Sequence, residues 1–313
     1  MQASPHFSAE QTTIDARLGH MRRCLAGLSI GDGLGRLIFT IPDLRLHRRV
    51  PDGTWCYSDD TRMALAIADN LARHGTVHQD ELARQFAEDF LAQPERGYGA
   101  VAYYILHKIA SGMHWREAST MVYSGRGSKG NGGAMRAPVV GAYFYDDLAM
   151  AVHESIKATE PTHAHPEGQA GAVAVAVAAA LAVRVVLKHQ PSQPAELFRQ
   201  VIEHTPEGEV RRGLQRAAQL LDATPQQVGN ELGTGVNVLA EDTVPLALWC
   251  ALTTLHDYEE ALWKTFNALQ ESEGDSDTLG AMVGGIVGLS APDTVPPLWC
   301  DRVEPVNLDH GKK

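Results

Sequence analysis

Hydrophobic residues recur every three to four positions through most of the chain. Ile14, Leu18, Met21, Leu25 and Leu28 fall on one helical face, and Met63, Leu65, Ile67, Ala68 and Leu71 on another. The second run is opened by acidic residues, which suit a helix N-terminus. The same spacing predicts helices over 80–92, 99–111, 115–122, 146–158, 168–188, 195–204, 209–222, 225–232, 244–254, 257–271 and 278–290. Alternating strand patterns are nearly absent, and β-branched pieces such as Val139-Val140 are too brief to build a sheet. The expected fold is therefore all-α and single-domain over 1–313, with a core at about 14–290. The segment 189–194 reads as a loop, the Pro-rich tail 291–313 as irregular, and the Gly31–Gly35 segment as the end of the first long helix. The longest apolar run, Ala170 to Val183, has 14 residues and then meets Arg184. A bilayer span needs about 20, so a buried helix is the expectation.

Composition narrows the function. A chain that is 44% hydrophobic and 21% charged is globular rather than disordered. Lys plus Arg is 27 against 38 Asp plus Glu, a formal charge of −11, which argues against bulk nucleic-acid binding. Cys24, Cys56, Cys250 and Cys300 form no CxxC pair, so neither a zinc ribbon nor a thioredoxin-like motif is supported. The first residues lack the apolar stretch of a secretory signal. The expectation is a soluble, cytoplasmic protein without a membrane partner.

Five segments carry candidate chemistry. Ser58-Asp59-Asp60-Thr61 and Asp275-Ser276-Asp277-Thr278 each open a predicted helix. Adjacent carboxylates in a pocket need cations, and an all-oxygen set suits Mg²⁺ or Mn²⁺. The alternative is two independent capping boxes, since Ser, Thr and Asp are favoured caps. The stretch from Gly125 to Arg136 has five glycines in nine residues before a helix, an arrangement whose backbone N–H groups can cradle a diphosphate. It matches neither Walker A nor GxGxxG, and a flexible connector would have the same composition. Thr162-His163-Ala164-His165-Pro166 precedes the Ala-rich helix, with the histidines open to capping, core or functional roles. In Gly31-Asp32-Gly33-Leu34-Gly35, close helix packing and an Asp32 that satisfies backbone donors form the structural reading.

Taken in this order, GDGLG (31–35), SDDTRMALA (58–66), GSKGNGGAMR (127–136), THAHPEGQAGA (162–172) and GDSDTLGAMVGGIVG (274–288) resemble the ADP-ribosylglycohydrolase family. That family includes the dinitrogenase reductase-activating glycohydrolase and the ADP-ribosyl-acceptor hydrolases. The resemblance implies a single-domain orthogonal helical bundle with two Mg²⁺ or Mn²⁺ ions at the bottom of a cleft. By motif position the metal ligands would be Ser58, Asp59, Asp60, Asp275, Asp277 and Thr278. Asp59 or Asp60 would accept a proton from the attacking water. ADP-ribose would be bound by Asp32, Gly127, Ser128, Gly130, Asn131, Gly132, Gly133, Met135 and His163, with Tyr123 stacking on adenine. The sequence also departs from the family pattern. Phe39 stands where many relatives have Glu, Lys129 where some have Tyr, and Glu273-Gly274 where Gly-Gly is commoner. Arg36 and Arg62 add charge near the expected cleft.

The implied activity is metal-dependent hydrolysis of the glycosidic bond between ADP-ribose and a modified protein side chain, with arginine the favoured acceptor and a monomer the expected state. The alternatives are a non-catalytic ADP-ribose reader, which Phe39 would support, and a hydrolase of small ADP-ribose derivatives or modified nucleic acid.

Overall fold

A computed structural model describes residues 9–41, 43–188, 193–269 and 274–306. The helices of eight or more residues are α1 (Ala9–Thr40), α2 (Asp59–His74), α3 (Gln79–Ala92), α4 (Ala100–Ala110), α5 (Leu148–Thr159), α6 (Pro166–Lys188), α7 (Pro194–His204), α8 (Glu209–Ala217), α9 (Pro225–Leu232), α10 (Ala240–Leu252), α11 (Tyr258–Asn267) and α12 (Ser276–Ser290). Among the described residues no strand forms, and β pairing is confined to the single bridges Trp55–Val303 and Gly130–Leu239. The all-α expectation holds.

The longest helix differs from its reading. The GDGLG segment does not end α1, which runs on to Thr40. Its glycines serve the packing of α1 on α12. A Cβ on Gly27 would come within 2.3 Å of the Gly284 carbonyl oxygen, one on Gly31 within 2.0 Å of that of Gly280, and one on Gly35 within 2.3 Å of that of Ser276. The two backbones touch there, so hydrogen is the only side chain that fits. This contact brings Asp32, on α1, to the first turn of α12.

Helix α6 fills the centre. Residues Ala172 to Ala180 are each 0% exposed, packed by α5, α10 and α12. Pro166–Leu187 is long and apolar enough to cross a membrane, yet 78% of its most apolar window is buried inside the fold. Val139 and Val140 lie in a short helix, Pro138–Tyr143. That helix, like Leu44–His47 and Gly132–Met135, is too short for periodicity to reveal.

The tail is more ordered than its proline content suggests. Pro297–Arg302 is helical, and Trp299 is buried against Trp55, Trp263 and Tyr258, with ring centroids 5.7–6.4 Å away. Trp55 N donates to Arg302 O at 2.7 Å and Glu304 N to Trp55 O at 2.9 Å. Glu273, most of the 189–194 segment and the tail beyond 306 lie outside the described residues.

Candidate active site

The first turn of α2 supplies two carboxylates, and α1 holds that turn in place. Ser58 caps α2: its Oγ accepts from Asp60 N at 3.1 Å and donates to Asp60 Oδ2 at 2.7 Å. Asp32 is fully buried and accepts from Ser58 N at 2.9 Å on both oxygens, from Thr61 N at 3.1 Å and from Thr61 Oγ1 at 2.6 Å. The opposite side comes from α12. Asp275 stands at its N-cap position without a side-chain capping bond, so of the two turns weighed above as capping boxes, the first keeps a simple cap from Ser58 without the reciprocal bond of a box, and the second has neither. Instead Asp275 Oδ2 accepts from Asn131 Nδ2 at 2.6 Å.

Carboxylate oxygens of Asp32, Asp60 and Asp277 lie within 4.8 Å of one another. Burial, and then the Asp277 charge, push Asp32 up to about 7. Burial with Asp277 and Asp32 pushes Asp59 up to about 8. Asp60 and Asp275 are raised well above the ordinary carboxylate range, foremost by burial. Asp60 Oδ1 is buried and has no hydrogen-bond partner. An oxygen-only donor set, crowded by like charge and with an orphaned buried oxygen, fits a hard divalent cation.

The glycine loop forms the next wall. Ser128 Oγ accepts from Gly130 N at 3.2 Å, and Asn131 N donates to Val238 O at 3.2 Å. Gly127 has φ +77° and packs against Ala164 and His165. Gly130 and Gly132 lie against the His163 imidazole, and Gly133 against Thr159. Lys129 pairs with Glu241. The side-chain amide of Asn131, a residue expected to bind ADP-ribose, is committed to Asp275 and to Thr243 Oγ1 at 3.0 Å, so it ties the loop to the acidic group.

Between these walls is a cavity of about 900 Å³. Asp59, Asp60, Asp275, Asp277 and Thr278 line it at one side and Gly127, Ser128, Gly130, Gly132, Met135 and His163 at another. Tyr123 also lines it, 55% exposed and with φ +52°, and so does Phe39, 49% exposed. Asp32, Ser58 and Gly133 are not part of the lining, and lie buried behind it. Asp32 thus joins the acidic group, whereas the sequence had placed it with the substrate. Arg36 and Arg62 do not line the cavity either: Arg36 donates to Tyr57 O at 3.0 Å and Arg62 pairs with Asp89. Sequence reasoning assigned no role to Arg136, which lies fully buried at the cavity's back; its place at the end of the glycine motif was the available signal.

The sequence model of the family described as ADP-ribosylglycohydrolase matches residues 13–310. The chain belongs to the ADP-ribosylglycohydrolase family. It is 28% identical to ADP-ribosylhydrolase ARH3 of Danio rerio, over 92% of this chain and 88% of that protein. It is likewise 28% identical to ARH3 of Homo sapiens, over 93% and 92%. The ADP-ribosylarginine hydrolase Tri1 of Pseudomonas putida is 21% identical over 93% of this chain and 76% of its own length. A solved ADP-ribosylglycohydrolase-related protein complex has a chain of the same fold, with TM-score 0.63 and 21% identity, covering 93% of this chain and 94% of that one. As an ADP-ribosylglycohydrolase this chain is an enzyme, which speaks against the non-catalytic reader.

Proposed function

We propose that the enzyme hydrolyses the bond between C1 of the distal ribose of ADP-ribose and a protein side chain, with its diphosphate on the glycine loop and that ribose over the acidic group. The supporting observation is the single cavity that joins the two walls, amide-rich at residues 127–132 and carboxylate-rich at Asp59, Asp60, Asp275 and Asp277. The cations would be held by Asp59, Asp60, Asp275, Asp277 and Thr278 with Asp32 beneath and Ser58 bracing Asp60. When bound, Mg²⁺ or Mn²⁺ there supplies Lewis acidity that makes water a better nucleophile. Water oxygen forms the new bond to C1 as the old bond breaks, its electron pair leaving with the acceptor atom. A carboxylate oxygen of Asp59 or Asp60 takes the water proton, which then passes to the acceptor atom. The buried setting makes these carboxylates stronger bases than exposed ones.

The acceptor side bears on specificity. The wall built by Phe39, Gly97, Gly99, Ala100, Val101 and Ala102 carries no charged side chain. A guanidinium acceptor, the one first expected, finds no carboxylate among those six side chains, and Asp59 beside Gly97 is given to the cations in this reading, whereas a hydroxyl-linked acceptor needs none. We therefore favour an O-linked side chain. Release of free ADP-ribose from serine-modified and arginine-modified proteins, with Mg²⁺, with Mn²⁺ and with EDTA, tests both points. Metal-dependent release from the serine-linked substrate is expected. A preference for the arginine-linked substrate would reverse the acceptor reading, and no release from either would reject the hydrolysis.

A further inference from the structure

Behind the glycine loop a chain of polar groups leads to the cavity. Arg136 is 1% exposed and its guanidinium lies over the Phe86 ring at 4.6 Å. Its Nη2 donates to Ala158 O at 3.2 Å and to Thr162 Oγ1 at 2.6 Å. The Thr162 hydroxyl, 0% exposed, lies 2.8 Å from His163 Nδ1. The direction of each hydrogen bond follows from the donor inventory. A guanidinium has donors alone, so Thr162 Oγ1 accepts from Arg136. Were His163 Nδ1 also a donor, the hydroxyl would accept twice and its own proton would be buried with no acceptor among the described residues. Leaving such a donor unpaired is costly, so the hydroxyl donates to Nδ1. Burial and the Arg136 charge push His163 down to about 3, so the ring is neutral. Its single proton is then on Nε2. That nitrogen makes no hydrogen bond among the described residues and belongs to a ring that lines the cavity. Cβ atoms on Gly130 and Gly132 would come within 3.1 and 3.0 Å of it, so the glycines leave the space it occupies.

We propose that Arg136 and Thr162 are positioning residues, whose hydrogen bonds fix the Nε2–H tautomer of His163 and so present a neutral donor to a diphosphate oxygen above the glycine loop. The proposal rests on the placement of ADP-ribose given above. With the opposite tautomer a lone pair would face that anionic oxygen. A hydrogen bond to a charged oxygen is worth roughly a tenfold to hundredfold change in affinity.

Nitrogen-15 spectra of the imidazoles in the full chain with Mg²⁺ read the tautomer directly, with His163 assigned by its loss in His163→Gln. We expect a protonated Nε2 and a bare Nδ1, and an Nε2 resonance that moves when ADP-ribose is added. Thr162→Val should allow both tautomers, weaken ADP-ribose binding about tenfold by calorimetry and place more of the kinetic loss in KM than in kcat. Thr162→Ser, which keeps the hydroxyl, should restore all three. A protonated Nδ1 in the parent protein overturns the proposal, as does an Nε2 resonance indifferent to ADP-ribose. The parent spectrum decides the matter even if Thr162→Val fails to fold. An Nε2 that responds to ADP-ribose in a protein without turnover would reject the hydrolase reading and leave the relay standing. Turnover with a protonated Nδ1 would do the reverse.

Discussion

At the scale of single residues, the site is a balance of repulsions held in place by backbone donors. Two full charges about 5 Å apart at an effective dielectric near 20 repel by roughly 3 kcal/mol, and Asp32, Asp60 and Asp277 bring oxygens within 4.8 Å. Arg136 faces Asp59 and Asp60 electrostatically but spends its hydrogen bonds on Thr162, Ala158 and the Met63 sulfur. A cation is what this group lacks. Asp60→Asn removes one charge while leaving an acceptor for the Ser58 hydroxyl. In EDTA the variant should therefore melt above the parent, by roughly 3–6 °C. Adding Mg²⁺ should raise the parent's Tm and leave the variant's nearly unchanged, and turnover should be lost. Thermal unfolding with and without metal, beside the release assay, checks this; a variant with normal turnover would remove Asp60 from the reaction.

At the scale of elements, the contact of α1 with α12 decides where the acids stand. Gly31 and Gly19 lie in the same helix and make opposite predictions. Gly31→Ala would drive a methyl to 2.0 Å from the Gly280 carbonyl oxygen, and neither backbone can yield without moving Asp32 or Asp277. A loss of about 3 kcal/mol or more and a weakened metal response should follow. Around Gly19 nothing lies within 4 Å, so Gly19→Ala should stabilise the helix by about 0.5–1 kcal/mol and leave activity alone. Paired denaturation curves test the contrast. Equal effects at both positions would mean that the glycines matter through helix propensity and not through interhelical contact.

At the scale of the whole molecule, the end of the described chain is strapped across the segment that leads into α2. Arg96 grips Glu304 with both Nη atoms, each at 2.6 Å, and its Nη1 also donates to Tyr57 O at 2.9 Å. The Arg96 guanidinium holds Glu304 below the usual glutamate range. Because the folded value lies below the unfolded one, the contribution is complete above the ordinary glutamate pKa and is lost as pH falls through the folded one. Glu304→Gln should lower Tm by a few degrees at pH 7, for a pair worth about 1 kcal/mol, and the two proteins should converge in strong acid. A Tm difference that persists unchanged at pH 3 would show that charge is not what the strap uses.

Much of this architecture is legible in the sequence, for a local reason. Apolar residues at helical spacing place nearly every long helix, and the oxygen-rich turns at 58–61 and 275–278 announce hard-cation chemistry by composition alone. Short helices such as Gly132–Met135 escape, since they complete too few turns for a period to show. What the sequence could not decide is distance. Asn131 meets Asp275 across 144 positions and Arg96 meets Glu304 across 208, and neither pairing leaves any local trace. Asp32 is the clearest case: its motif reads equally as a helix end, a substrate contact or a packing device. Tertiary structure alone, through glycine backbones in contact between α1 and α12, carries it beneath the acidic group. Local spacing records which residues can form a helix or hold a cation; which of them share a site depends on how helices far apart in sequence pack.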